Sequence, residues 1–452
     1  MMKRTQPIFR HVSQRAARLA RQMKAALILM LLVAVPCVAQ AIPAATASPI
    51  STGFSLPSLA GTLQYAVSSS ESLSSNYFGN AGVNSSANLS GDFAYIANSQ
   101  LYPFSTVFSG GRAWSSSGQS SYNFFNLSLS QGIRAQRWTF GVSDSVNYLP
   151  ATATTGLSGV PGVGDLGVNP APTSSNTGQG VLTGFSTRVS NSSSLSIDRP
   201  LTGKTSLNAS GTYSLTRFLN TSGNSANPGL NNDSESGSFS VSHRIDAITS
   251  VSDNYTYSRN TFSSNSFGIR EPGFTGQTVS VQYAHQYSRK FGISASAGPQ
   301  WNSSDTPGST QSLSLFANLS ANYNGEFSHT ALAYTRSSNS GSGVVGGATS
   351  SSVSFSISRT LDRVWLCALT AAYSQSSELP SATSLPFTFH TTVAGAQVSR
   401  AIVRSLSAYA SYTLQNQTNQ GTAAAVDLFS GISNVAGFGL TYSPSAIHLG
   451  HS

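Results

Sequence analysis

Residues 398–414 read VSRAIVRSLSAYASYTL. After Arg404 the stretch alternates. Leu406, Ala408, Ala410, Tyr412 and Leu414 fall on one side, and Ser405, Ser407, Tyr409, Ser411 and Thr413 on the other. Side chains two apart share a face only in an extended strand, so this is a strand with one apolar and one hydroxyl-bearing face. Arg400 and Arg404 stand where the pattern pauses, at the turn that precedes the strand.

The pattern recurs along the chain. Segments of similar build start at Leu195, Val241, Tyr287, Leu319 and Ile357, each with an apolar–Ser pair, a tight turn and a strand rising towards Tyr or Trp. Leu313, Leu315, Ala317, Leu319, Ala321 and Tyr323 form the cleanest apolar stripe. About 18 strands fit between Gly61 and Tyr442, with 16 the nearest other even number; each has the roughly 9–11 residues that a tilted membrane strand needs. The connections alternate. Short ones at Arg134–Arg137, Arg199–Lys204, Arg244–Thr249, Arg289–Phe291, Asn324–Glu326, Thr360–Arg363 and Arg400–Arg404 separate long Gly/Ser/Asn/Pro-rich stretches, the longest from Pro150 to Leu182. Short turns on one rim and long loops on the other predict an all-β transmembrane antiparallel up-and-down barrel, with the short turns periplasmic. Arg400 and Arg404 then bracket a periplasmic turn at headgroup depth, their stems along apolar surface and their guanidinium groups in water or at lipid phosphate.

Composition agrees. Charged residues are 9% of the 452, against about 25% in ordinary soluble domains. Mean hydropathy is −0.07, too low for a helical membrane protein. Aromatics at 10%, placed in alternation, argue against a disordered Ser/Gly chain. The net charge of +9 is concentrated at the start: Lys3, Arg4, Arg10, Arg15, Arg18, Arg21 and Lys24 precede the apolar run Ala25–Ala41, which ends Ala-Gln-Ala. That is the form of a secretory signal peptide. Its removal leaves 17 basic and 15 acidic residues, and with them no basis for a nucleic-acid partner. The expected organisation is a signal peptide over 1–41, a periplasmic segment over 42–58, the barrel over 59–443 and a short tail over 444–452. Cys37 falls within the signal, and Cys367, in VWLCAL, is left as one more apolar side chain.

Near the end, NVAGFGLTYS places Ala436, Phe438, Leu440 and Tyr442 on one face. This resembles the terminal strand of bacterial outer-membrane β-barrel proteins of porin-like type, which the barrel-assembly machinery recognises by alternating apolar residues and a terminal aromatic. The resemblance implies that machinery as a partner during biogenesis, and outer-membrane lipid as the surroundings of the mature chain. This sequence departs from the pattern, because SPSAIHLGHS follows Tyr442. Either the tail is periplasmic, or Ile447 and Leu449 extend the strand beyond Pro444. The chain is also similar to uncharacterised Ser-rich barrels of environmental bacteria, some of them linked to exopolysaccharide export.

Motifs of chemistry are few. Gly162–Gly167, GVGDLG, matches G-x-G-x-x-G, but Pro170 and Pro172 forbid the helix that a dinucleotide site requires. Within the same long loop, Leu157, Val160, Gly162, Gly164, Asp165 and Gly167 make a candidate constriction that folds into the lumen, the alternative being an exposed loop. Asp144 and Asp253 interrupt apolar stripes, so either the strand is bulged there and the Asp turns inward, or it meets a partner; a local bulge or rim position is the expectation. His243, His285 and His329 lie near short turns, in no metal-ligand spacing. No paired carboxylates, Cys/His cluster or G-x-S-x-G elbow indicates an enzyme, and no cofactor is expected. A lumen lined by hydroxyls and amides, without rings of charge, suits neutral polar solutes such as saccharides. The expectation is an outer-membrane channel; the alternative is a structural or surface-interaction barrel plugged by its own loops, accessory to polysaccharide export.

Overall fold

The computed structural model describes residues 61–77, 80–97, 99–115, 121–149, 187–219, 230–263, 272–305, 311–340, 347–362, 364–379, 388–420 and 430–449. Eighteen long antiparallel strands form one closed wall, and the described residues contain no helix. In chain order they are β1 (Gly61–Tyr77), β2 (Asn80–Ala97), β3 (Phe104–Ser115), β4 (Tyr122–Ala135), β5 (Trp138–Leu149), β6 (Thr187–Pro200), β7 (Thr205–Leu219), β8 (Asn231–Arg244) and β9 (Thr249–Ser263). They continue as β10 (Phe274–Gln286), β11 (Phe291–Ser304), β12 (Ser312–Asn324), β13 (Ser328–Asn339), β14 (Ala348–Asp362), β15 (Trp365–Glu378), β16 (Thr388–Val403), β17 (Leu406–Gln420) and β18 (Gly431–Tyr442). Every strand pairs with its sequence neighbours, and β1 closes the wall on β18 from Val67↔Tyr442 to Ser75↔Asn434. Of the two continuations open after Tyr442, the chain takes the second: Ile447–Leu449 (β19) resumes beyond Pro444 and pairs with Gly61–Leu63.

The two faces of each strand separate as the alternation requires. On β12, Leu313, Leu315 and Leu319 face outward and are among the most exposed large apolar residues of the chain. Across the wall they meet Trp301, Pro299 and Ala295 of β11. Exposed aromatics border this apolar band on both sides, with Trp138, Tyr323, Trp365 and Tyr442 at one edge and Trp114, Tyr213, Tyr373 and Tyr412 at the other. Leu313–Tyr323, at about 3.4 Å per residue and a tilt of about 40°, spans about 25 Å, the height of a lipid-facing band. The outer surface is thus that of a membrane-spanning barrel.

Connections of few residues join β4–β5, β6–β7, β8–β9, β10–β11, β12–β13, β14–β15 and β16–β17 at the end where Gly61 and Leu449 lie; we call this the short-turn rim. The opposite, long-loop rim carries the longer connections, apart from β1–β2, which only residues 78 and 79 join. Strands run further towards the long-loop rim than their composition suggests. Asn231–Ser236 and Asn416–Gln420 have loop-like sequences but stay in register with β7, β9 and β16. Above the apolar band both faces meet water, so polar side chains no longer distinguish strand from loop. At the other rim one turn is tighter than expected. Arg400 lies within β16, and the β16–β17 turn is Arg404–Ser405 alone.

The interior of β11 contains Gly298-Pro299. Both residues pair with β12, but the β10–β11 register passes from Thr278↔Gln300 to Val281↔Ala297, leaving them out. Proline has no N–H to donate to that ladder. Glycine then lets the backbones approach, since a Cβ on Gly298 would lie 1.8 Å from the Val279 carbonyl oxygen. Gly298→Ala is expected to cost about 1–3 kcal/mol by overpacking. Gly91→Ala, whose Cβ would sit 3.8 Å from the Ala66 oxygen, should be close to neutral. Urea unfolding of the refolded barrel checks the difference; equal midpoints for the two variants would contradict it.

Candidate functional site

The inner face is the candidate site, and its side chains follow from the strand period. Where two neighbouring strands each place Ser or Thr inward at a paired position, the hydroxyls bond across the wall. Ser143–Ser194 and Ser350–Ser376 are 2.6 Å apart, and Ser72–Ser86, Ser210–Ser238, Ser294–Ser320 and Thr335–Ser352 are 2.7 Å apart. Each such pair uses one donor and one acceptor, and where the pair is not buried, as Ser350, Ser352 and Ser376 are, one O–H and several lone pairs are left for a solute. Amides extend the set. The side-chain oxygens of Asn88, Asn126, Asn302 and Gln415, all on inner-face positions, are buried and receive no protein donor.

Charge is nearly absent from this wall. Away from the strand ends, Asp92 is the one charged residue at the inner-face positions of the described strands, and it is buried. The ionisable groups of the strand interiors lie mostly outside. Glu71, Asp144, Glu235, Asp253, Arg259 and Arg336 occupy outward positions, and Arg217 holds Asp233 through both carboxylate oxygens at 2.6 and 2.7 Å. Asp144 and Asp253 are not at bulges, because the pairings of β5 and of β9 with both neighbours run through them unshifted. Asp144 is instead satisfied laterally: Asn191 Nδ2 donates to its Oδ1 at 3.0 Å and Ser193 Oγ at 2.5 Å. The sequence signal for this was the pair of polar residues at outward positions of β6.

The two ends of the lumen differ. Towards the long-loop rim the inner side chains are covered: Phe389 is 1% exposed, Phe274 3% and Gln417 0%. Along β10, burial of the inner positions ends after Ser280: Gln282 and Ala284 are half-buried and Gln286 is exposed. At the short-turn rim, Ser250, Gln286, Ser294, Ser320, Asn322 and Asn324 line a concavity of about 540 Å³ beside Arg244 and the β8–β9 turn. A volume of that order accommodates a small polar solute.

Of the residues singled out in the sequence, Phe438, Leu440 and Tyr442 face outward on β18. Arg404 is in its turn, while Arg400 lies over the ring of Trp365 at 5.2 Å. His243 and His285 each bond a threonine on the neighbouring strand, Thr205 at 3.0 Å and Thr249 at 2.9 Å, and His329 bonds Asn324 at 3.3 Å; all three sit at the short-turn rim. Leu157, Val160, Gly162, Gly164, Asp165 and Gly167, and the signal segment 1–41, lie outside the described residues.

No protein-family model and no curated protein matches the sequence. Among solved structures the chain is similar to OpdQ of Pseudomonas aeruginosa, with 9% identity, 85% of this chain and 98% of that one covered, and a TM-score of 0.42. It is likewise similar to OccK2 (OpdF) of the same organism, with 8% identity, 86% and 98% covered and a TM-score of 0.43. The FrpB iron transporter of Neisseria meningitidis (F5-1 variant) matches at 8% identity, 86% and 83% covered, again with a TM-score of 0.43. Likeness at this level transfers no solute and no mechanism, so the reading of the lumen rests on its own side chains.

The β8–β9 turn beside the concavity is held by one carboxylate. Asp246 accepts from the backbone N–H of Ile248 at 2.8 Å, the N–H of Thr249 at 2.7 Å and Thr249 Oγ1 at 3.1 Å. The Ile248 N–H first, and then the Thr249 donors, hold the Asp246 carboxyl below its usual value. The folded-state value lies under the unfolded one, so the turn's contribution is complete above about pH 4 and is lost as pH falls through the depressed value. Asp246→Asn should therefore lower the urea midpoint at neutral pH, by a difference that closes as pH drops below about 4. A gap independent of pH would show that the carboxylate's charge is not what holds the turn.

Proposed function

We propose that this barrel spans the outer membrane and is a channel for neutral polar solutes, with saccharides the class its wall suits best. The observation that carries the reading is the set of hydroxyl pairs on an inner wall with almost no charge. Hydroxyls and amides exchange hydrogen bonds with sugar hydroxyls on even terms. An ion-selective pore needs rings of fixed charge instead. The membrane location is supported by the outward apolar band and its two aromatic borders. The orientation proposed for the barrel places the short-turn rim and both ends of the wall in the periplasm.

A second reading has its own support. The covered inner residues at the long-loop end, Phe274, Phe389 and Gln417 among them, are what a barrel closed at that end would show. In that case the molecule is a structural or surface-interaction barrel.

Planar-bilayer recording separates the two. Refolded protein is expected to give discrete conductance steps with little preference between potassium and chloride. Ser210→Asp with Ser238→Asp places two carboxylates on the inner wall and should shift the reversal potential clearly towards cations. Steps that are absent from correctly inserted protein would sink the channel and leave the closed barrel.

A further inference from the structure

Among the described residues, the short-turn rim carries far more positive than negative charge. Ten described Arg and Lys residues lie in, or within four residues of, the short turns, against four Asp and Glu. All ten are exposed, and none forms an ion pair among the described residues. The ion pair that is present, Arg217–Asp233, is at the other end of the wall, where Glu235 and Arg259 also mix the signs. A rim that merely needed solvation would mix signs in the same way.

We propose that the short-turn rim is a binding ring for the phosphate groups of anionic phospholipids. The basic residues occupy six of the short turns, around the circumference of the barrel rather than in one sector. A compact acidic protein would meet one sector; a lipid annulus meets them all. Apart from Arg134 and Arg244, at inner-face positions of β4 and β8, they also sit where lipid phosphates lie, at the edge of the outward aromatic border. The Arg199 guanidinium is 4.6 Å from the centre of the Trp138 ring, and Arg400 is 5.2 Å from that of Trp365, both outward-facing pairs. Each tryptophan fixes a cation at the boundary between apolar band and water, with its remaining N–H donors free for a phosphate. Arg359, Lys204, Arg289 and Arg404 extend the same chemistry to other turns. The inference rests on the membrane-spanning reading above and adds a lipid class and a side to it.

The chain contains its own reporters. Its four tryptophans divide into Trp138 and Trp365 at the short-turn rim, and Trp114 and Trp301 near the long-loop ends of β3 and β11. Full-length protein carrying Trp114→Phe and Trp301→Phe, folded into phosphatidylcholine vesicles, is titrated with brominated phosphatidylglycerol or brominated phosphatidylcholine while tryptophan quenching is followed. Phosphatidylglycerol is expected to be preferred roughly fivefold at Trp138 and Trp365, the factor that one cation near a negative lipid provides. The preference should vanish in about 0.5 M salt. It should also vanish in Arg199→Gln/Arg400→Gln and persist in Arg199→Lys/Arg400→Lys. The complementary pair, Trp114 and Trp301, should show little preference. Equal quenching by the two lipids at Trp138 and Trp365, or a preference that survives salt, would overturn the proposal, and the salt arm needs no variant at these arginines. Quenching by any brominated lipid reports that the barrel is in the bilayer, so failure of the membrane reading would be seen separately, as no quenching at all.

Discussion

Within a bilayer no water is available to satisfy a backbone N–H or C=O, so every such group in the hydrocarbon must find a partner in the chain itself. A sheet meets that demand only if it has no edge. Closure of β1 on β18 is therefore the constraint on which the rest depends. It makes the strand count even, puts both ends of the wall at one rim, and divides every strand into an outward and an inward set. The chemistry of the lumen is a consequence of that division, because the strand period that places Leu and Tyr against lipid places Ser and Thr against the interior.

The division is followed closely for apolar residues and loosely for charged ones. Inside, charge is confined almost entirely to the strand ends; outside, it reaches into the wall. Asp144 shows how such a group is tolerated: its donors come from Asn191 and Ser193 on the next strand, so the three form a closed polar unit within the apolar band. Arg217 and Asp233 do the same as a bidentate pair nearer the long-loop end. The outer surface thus tolerates charge where it is neutralised locally, whereas the exposed cations of the short-turn rim form no ion pair among the described residues.

Where alternation was strong, the sequence was legible. The stripes from Leu313 to Tyr323 and from Leu406 to Leu414 lie in β12 and β17 as read, and the number of long strands agrees. Legibility failed where one physical signal was lost or misassigned. Asn231–Ser236 has the composition of a loop because both faces of the wall are polar above the band. Arg400 looked like a turn residue because a basic side chain at the edge of the band serves in strand and turn alike. Of the two readings of Asp144, bulge or partner, the second holds; its partners could not be named because they are distant in sequence and only pairing brings them together. The inner wall could be inferred as hydroxyl-rich, but its division into a covered and an open end depends on packing that no local pattern encodes.

The seam has a kinetic side. The residues that close the wall, Val67 with Tyr442 and Gly61 with Leu449, come from opposite ends of the described chain. Contacts that distant in sequence form late, because the entropy of closing so large a loop is lost before any bond repays it. Until the last strand arrives, β1 and the growing end are two open edges able to pair with another chain. The short β19 lengthens the final zipper at the rim where it is completed, so the same three residues that finish the wall also cover the Gly61–Leu63 end of the β1 edge, which could otherwise add a strand from elsewhere.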